Sequence, residues 1–436
     1  GGLPSVPKPG TPQSQNPKRR IWRREAGACR TTQDFGRDSG AMNRRWDLIA
    51  IGVVVNMCLG TVYSWSVFRG PLEATFGFLP SQTGIPYSVF LALFAFSMPV
   101  GGVLQSRIGP RVTMVIGGIL VGAGWILAGV VSTIPAIAAT YGLFGGAGVG
   151  LAYGVPLAVV GSWFPSKRGL ALGITLTGFG LSPFVTARLA EAIIAQAGVS
   201  TAFRALGFGF LAVVLGFAVF FKPAPGGGAS VADEGPDFGP GEMLRTGSFY
   251  GLWICFAIGT FAGLTAIGMT ASYGVDAVGL SPRSAATAVA VFGVFNGLGR
   301  PLFGWLTDAW DARNTATVAF LIIILGALLA LQSAALGLFA FFGGFAVLWL
   351  LLGGWLAIAP AATTRIFGQR RYAENYGIMY TGYGVGALGG GAASAVLTRL
   401  TGTAASTFWA IVGVSVVGIV ISRVLLPKSR QVVGVR

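Results

Sequence analysis

The chain of 436 residues is 53% hydrophobic and only 10% charged, with a mean hydropathy of +0.72 and a formal net charge of +16. Those figures exclude a soluble domain and indicate an all-α multi-pass membrane protein with the lipid bilayer as its solvent. Histidine is absent and the three cysteines, Cys29, Cys58 and Cys255, are scattered. No metal site, disulfide framework or cofactor is therefore expected.

Residues 1–41 are rich in Pro, Gln and Arg without apolar periodicity, and are expected to be disordered. Met42 opens a basic flank, NRRW, that runs straight into an apolar stretch. This pattern predicts Met42 as the natural start and 1–41 as a non-native extension; the alternative, an Arg-rich targeting peptide, lacks an amphipathic helix. Twelve apolar spans follow, at roughly 46–68, 84–106, 110–133, 135–163, 169–195, 200–221, 248–275, 284–308, 314–335, 337–366, 375–399 and 403–426, each near the ~20 residues a crossing needs. The one long polar break, 222–247, is rich in Gly, Pro and acid and predicts a flexible tether between two six-span halves, 42–221 and 248–436.

The basic residues flank the spans rather than forming a patch, so the positive charge reads as an orientation signal, not as nucleic-acid binding. With both termini and the 222–247 segment inside the cell, sixteen basic residues after Met42 fall on the inner side and five on the outer. That asymmetry predicts cytoplasmic N and C termini in a cell inner membrane.

Arg300 belongs to neither set. It lies inside the span SAATAVAVFGVFNGLGRPLFGWLTD, 284–308, where a full charge costs on the order of 3 kcal/mol unless it faces a partner or a cavity. Asn296 is one helical turn earlier on the same face, so a guanidinium fork and a side-chain amide point together, a pairing suited to a carboxylate. Pro301, with no N–H, frees the carbonyl of Gly297 beside the charge. Asp276, Asp308, Glu191 and Glu374 fall near span ends, which leaves no obvious carboxylate at mid-depth to relay a proton.

The halves echo each other. Gly102, Leu104, Ser106, Arg107, Gly109 and Arg111 follow the second span; Gly304, Leu306 and Asp308 follow the eighth, 202 residues later. Both resemble the G-x-L-x-D-R-x-G-R loop of the major facilitator superfamily, whose two six-helix bundles are related by a pseudo-two-fold axis. Each copy is degraded, with Ser106 in place of the acid in the first and Ala309 in place of the arginine in the second. The resemblance implies a conformational latch at Gly102, Arg107, Gly109, Arg111, Gly304 and Asp308, weaker in the first half.

Three further stretches resemble the oxalate/formate antiporter family: GTVYSWSVFRGPLEATFG (60–77), SWFPSKRGLALGITLTGFG (162–180) and NYGIMYTGYGVGALGGG (375–391). The second also resembles the animal monocarboxylate transporters. This implies a single central cavity for a small mono- or dicarboxylate, anchored by Arg300. In the animal carriers an aspartate precedes that arginine by four residues and takes part in proton coupling; here Asn296 stands there and cannot carry a proton. The family's oxalate carrier has a lysine in its eleventh helix where this chain has Tyr383, and the animal carriers' first-span lysine is missing.

A lone buried cation compensates one negative charge, so a monoanion is favoured: lactate, pyruvate, formate or acetate before oxalate. Tyr63, Trp65, Tyr141, Trp355, Tyr380 and Tyr383 are candidates to complete the pocket, since a phenol bonds a carboxylate without the cost of a second charge. The glycine runs 145–150 and 382–391 lie inside spans, where they serve helix packing rather than phosphate binding. No nucleophile, base or metal constellation suggests an enzyme. The expected function is a monomeric secondary transporter of lactate- or pyruvate-type acids, with a proton as co-substrate. The runner-up is an oxalate/formate exchanger; a non-transporting membrane receptor for carboxylic acids is the alternative of another class.

Overall fold

A computed structural model describes residues 1–3, 32–79, 82–224 and 237–428. The chain separates into a small unit, Gly1–Trp46, and a large one, Asp47–Arg436. In the small unit, residues 32–41 are helical rather than disordered, because they extend the helix Thr32–Leu59 and propagation costs far less than nucleation. The rest of the expected leader, 4–31, with Cys29, lies outside the described residues.

The described residues fold as helices, as lipid demands when it offers no partner to backbone N–H and C=O groups. In order they are α1 (Arg45–Ser64), continued by Trp65–Phe76; α2 (Ile85–Ile108); α3 (Pro110–Ala128); and α4 (Ile134–Trp163), with a π-helical stretch at Ala138–Gly145. The 51-residue helix Arg168–Ala218 breaks at Gly198, whose φ of 82° suits glycine, into α5 (168–197) and α6 (199–218). Then come α7 (Gly247–Val278), α8 (Pro282–Ala309), α9 (Ala312–Leu331), α10 (Leu338–Phe367), α11 (Tyr372–Thr401) and α12 (Ser406–Leu425).

Among the described residues, ten helices are long and apolar enough to be spans by length and composition. Twelve crossings among the described residues result because Gly198 divides one of them and because α11, 30 residues long but rich in Gly, Tyr and Thr, also crosses. Helix starts follow the sequence signals: the Thr246, Ser281 and Asp311 side chains accept from the N–H groups of Phe249, Ser284 and Asn314 at 3.1, 3.1 and 2.6 Å.

The helices of each half pack mainly on one another, and the halves meet where α2 and α4 touch α11 and where α5 touches α8 and α10. The arrangement repeats: the end of α2 lies on the start of α11 at Gly102 and Ala373, as the end of α8 lies on the start of α5 at Gly304 and Gly169. Glycines permit this closeness, for a Cβ on Gly173 would come 2.8 Å from the Arg300 carbonyl carbon and from Pro301 Cα. The chain is shut at this end, which also carries Asp308 and Arg365.

The segment 222–247 is less free than its composition predicts. Trp163 Nε1 donates to Lys222 O at 3.0 Å and Ala224 N to Ser162 Oγ at 3.1 Å, so its start is tied to the end of α4. Its far part is tied to α10 and α11: Phe238 N donates to Phe367 O at 2.9 Å, Asn375 Nδ2 donates to Phe238 O at 2.8 Å, and Asp237 pairs with Arg370 at 3.6 Å. Backbone groups satisfied by neighbouring helices override Gly and Pro content. Residues 225–236 lie outside the described residues.

Candidate functional site

On α8 the exposed side chains Val291, Phe295, Leu298, Leu302 and Trp305 recur every three or four residues, the stripe of a helix with one face in lipid. Asn296, Arg300, Phe303 and Thr307 lie on the opposite face and are buried, with Arg300 at 0% exposure. The charge therefore faces protein, not acyl chains. Thr177 Oγ1 of α5 approaches the Gly297 carbonyl at 3.4 Å, taking up the acceptor that Pro301 leaves open.

The guanidinium is held from both halves. Arg300 Nη1 donates to Leu176 O of α5 at 2.9 Å, and Nη2 to Asn296 Oδ1 at 3.0 Å. Asn296 Nδ2 donates in turn to Trp349 O of α10 at 3.2 Å, so the amide is oriented with its oxygen toward the cation. Phe179 lies beneath, with the guanidinium carbon 5.5 Å from its ring centre, a distance at which a ring face attracts a cation. Of five N–H donors, two bond Leu176 O and Asn296 Oδ1, the Tyr63 and Tyr153 hydroxyls lie beside the fork, and Nε has no partner. Among the described residues no carboxylate pairs with Arg300. A buried cation with no counter-charge and donors to spare is costly to leave empty and matches an anion.

Aromatic side chains close the site. Tyr63 meets Phe179 edge-on at 5.2 Å, and its hydroxyl lies 3.3 Å from that of Tyr383. Tyr383 stacks on Tyr380 at 5.0 Å; Tyr153 packs between Phe179 and Tyr380 at 5.3 and 5.2 Å. Tyr63 and Tyr153 are both within electrostatic reach of Arg300. Gly180 admits α5 to this contact, since a Cβ there would stand 2.9 Å from Asn296 Oδ1 and 3.0 Å from Arg300 Nε.

The structure thus brings Arg300, Asn296, Tyr63, Tyr380 and Tyr383 together. It does not bring Tyr141 or Trp355 to them. Tyr141 stacks on Trp65 at 4.5 Å and packs with Phe90, Trp125 and Phe203 inside the first half. Trp355 lies against Phe320 at 4.8 Å and over Gly259, a packing role between α7, α9 and α10. An aromatic residue in an apolar helix has no sequence mark of the face it occupies, which is why both were candidates. Tyr153, Phe179 and the carbonyls of Leu176 and Trp349 escape sequence reading. For Tyr153 a signal existed: a tyrosine far from both ends of its span is not an interface-belt residue.

The two loop copies differ. Asp308 accepts from the N–H groups of Gly169 and Leu170, both at 2.9 Å, capping the start of α5 across the halves. In the first copy Ser106 Oγ bonds back to Val103 O at 2.9 Å instead, and Arg107 is exposed. Gly109, at φ 85°, ends α2, and Arg111 Nε has no partner.

Helices that cross a bilayer in two repeated halves, around a buried cation reached from both, define a membrane carrier. A model of the Major Facilitator Superfamily matches residues 49–345 and 264–434. The oxalate:formate antiporter of Oxalobacter formigenes is 32% identical over 369 residues, 84% of this chain and 88% of that protein. Monocarboxylate transporter 13 of Bos taurus is 28% identical over 287 residues, 64% of this chain and 65% of that one. Among solved structures, that of the superfamily transporter FucP in the outward conformation matches with a TM-score of 0.66 at 14% identity, covering 87% of this chain and 99% of that one. The chain belongs to the major facilitator superfamily and, within it, to the oxalate/formate antiporter family, related to the monocarboxylate transporters. It is a multi-pass membrane transporter for a small molecule, not an enzyme.

Proposed function

We propose that this transporter moves small monocarboxylates of the lactate and pyruvate type together with a proton, its two halves rocking around Arg300. One observation carries the reading: a fully buried guanidinium whose Nε has no partner and which has no carboxylate beside it among the described residues. The incoming carboxylate supplies the missing negative charge, Asn296 keeps the fork aimed, and the Tyr63 and Tyr383 hydroxyls meet the acid's remaining oxygen. With Asn296 unable to titrate, the proton travels by neutralising the substrate carboxylate or its contact with Arg300.

The halves are 42–221 and 248–436, the Asp308 end faces the cytoplasm of a cell inner membrane, and the carrier works as a monomer. Asp308 on α5 is the stronger side of the latch and Gly102 on α11 the weaker. A second reading, oxalate/formate exchange, is favoured by the 32% identity to the oxalate:formate antiporter; the single cation of this site counts against a dianion.

Counterflow of radiolabelled lactate in proteoliposomes, competed in turn by pyruvate, formate, acetate and oxalate, tests the substrate. Lactate exchange competed by pyruvate is expected and, in net uptake into lactate-free proteoliposomes, an internal pH that falls as lactate enters; net uptake indifferent to pH removes the proton, and oxalate as the strongest competitor selects the second reading. Arg300→Ala is expected to lower uptake by ~30-fold or more with the protein still folded, and Arg300→Lys nearly as much because the planar fork is lost.

A further inference from the structure

Three buried hydroxyls near the site lack a close hydrogen-bond partner: that of Tyr372 on α11 has none, and those of Tyr153 on α4 and Tyr376 on α11 are within loose reach of each other. Leaving such a group unsatisfied is costly, and Phe would remove that cost without changing the ring. Their placement is ordered. Tyr383, Tyr380, Tyr376 and Tyr372 recur at three- and four-residue steps down one face of α11, all at most 1% exposed. Rings 383 and 380 stack at 5.0 Å, 380 and 376 meet edge-on at 5.7 Å, and 376 and 372 stack at 5.3 Å with planes 7° apart. The column runs ~16 Å, from the Arg300 site to the shut end. Arg300 is within electrostatic reach of Tyr376, as is Tyr153.

On this face of α11, Tyr380 meets Phe94 of α2 at 5.1 Å and Tyr153 of α4 at 5.2 Å, so α2 and α4 must part from it when the shut end opens. Gly377, one residue past Tyr376, sits directly on Met98 and Pro99 of α2. Parting there would turn the orphan hydroxyls toward an aqueous path. We infer that Tyr376 and Tyr372 form a second, transient carboxylate station between Arg300 and the shut end, hydrogen-bonding the acid as it enters or leaves by that side. The phenols are neutral donors, so they guide an anion without holding it as Arg300 does. The inference rests on the carboxylate reading of Arg300.

The test is sided. Right-side-out and inside-out vesicles carrying wild type, Tyr376→Phe, Tyr372→Phe and the double variant are assayed for uptake of radiolabelled lactate, formate and oxalate, and KM is compared from each face. The expected result is a KM raised about fivefold per hydroxyl from the Asp308 face and unchanged within about twofold from the opposite face. Equal KM values on both faces, whether unchanged or raised together, overturn the station while leaving Arg300 intact. If wild type carries none of the three acids, the carboxylate reading fails first and the station with it.

Discussion

At the scale of single residues, the site is defined by what Arg300 lacks. Its nearest helical neighbour is an amide, Asn296, whose oxygen accepts one of its N–H groups at 3.0 Å. Asn296→Asp places a carboxylate there, which pairs with the guanidinium and competes with substrate. Deprotonated, it blocks the site; protonated, it behaves as the amide does. Uptake by this variant is therefore expected to fall at neutral pH and to recover on acidification, measured as the pH profile of counterflow against wild type. Tyr383→Lys tests the charge count from the other direction. An ammonium beside the Tyr63 hydroxyl, now 3.3 Å from that of Tyr383, adds a second positive charge, and oxalate is expected to gain ~10-fold or more over formate as a competitor.

Among the helices, close approach decides which conformer is stable. Gly173 on α5 faces backbone atoms of Arg300 and Pro301 on α8, and backbone cannot turn aside as a long side chain can. Gly173→Ala is expected to cost this shut conformer ~1–3 kcal/mol, shifting the population toward the one open at the Asp308 end. Alkylation of a cysteine placed at Ala373, half-buried where α11 meets Gly102, reads the shift as a faster rate. Asp308 acts at the same joint: its carboxylate lies on the first free N–H groups of α5, where a helix start favours negative charge. The paired contacts of α2 with α11 and α8 with α5 express one inherited geometry, yet only the second copy keeps its acid.

For the molecule as a whole, the distribution of arginine and lysine along the chain predicts an orientation, and the ends of 222–247 are tied to both halves. Residues 222 and 224 are hydrogen-bonded to one half, and 237 and 238 are bonded to the other. A protease site inserted in 225–236 is expected to be cut in inside-out vesicles and protected in right-side-out ones. The opposite pattern reverses the orientation drawn from the basic residues.

The crossings, their order and the lone charge among them were legible in the chain itself, because lipid rejects polar backbone and unpaired charge so strongly that composition alone reveals both. The pairing of Arg300 with Asn296 was legible too, being a contact within one helix and one turn. Which aromatic side chains reach that pair was not: Tyr63, Tyr153, Phe179 and Tyr383 come from four helices, while Tyr141 and Trp355, of the same chemistry, turn into packing clusters. Nor does composition show that Asp308 lands on α5 or that the ends of a Gly- and Pro-rich segment are tied down. Those outcomes depend on how helices rotate and tilt against each other, and that is set by contacts between residues of different helices, such as Asp308 with Gly169 and Tyr63 with Tyr383, which no local pattern encodes.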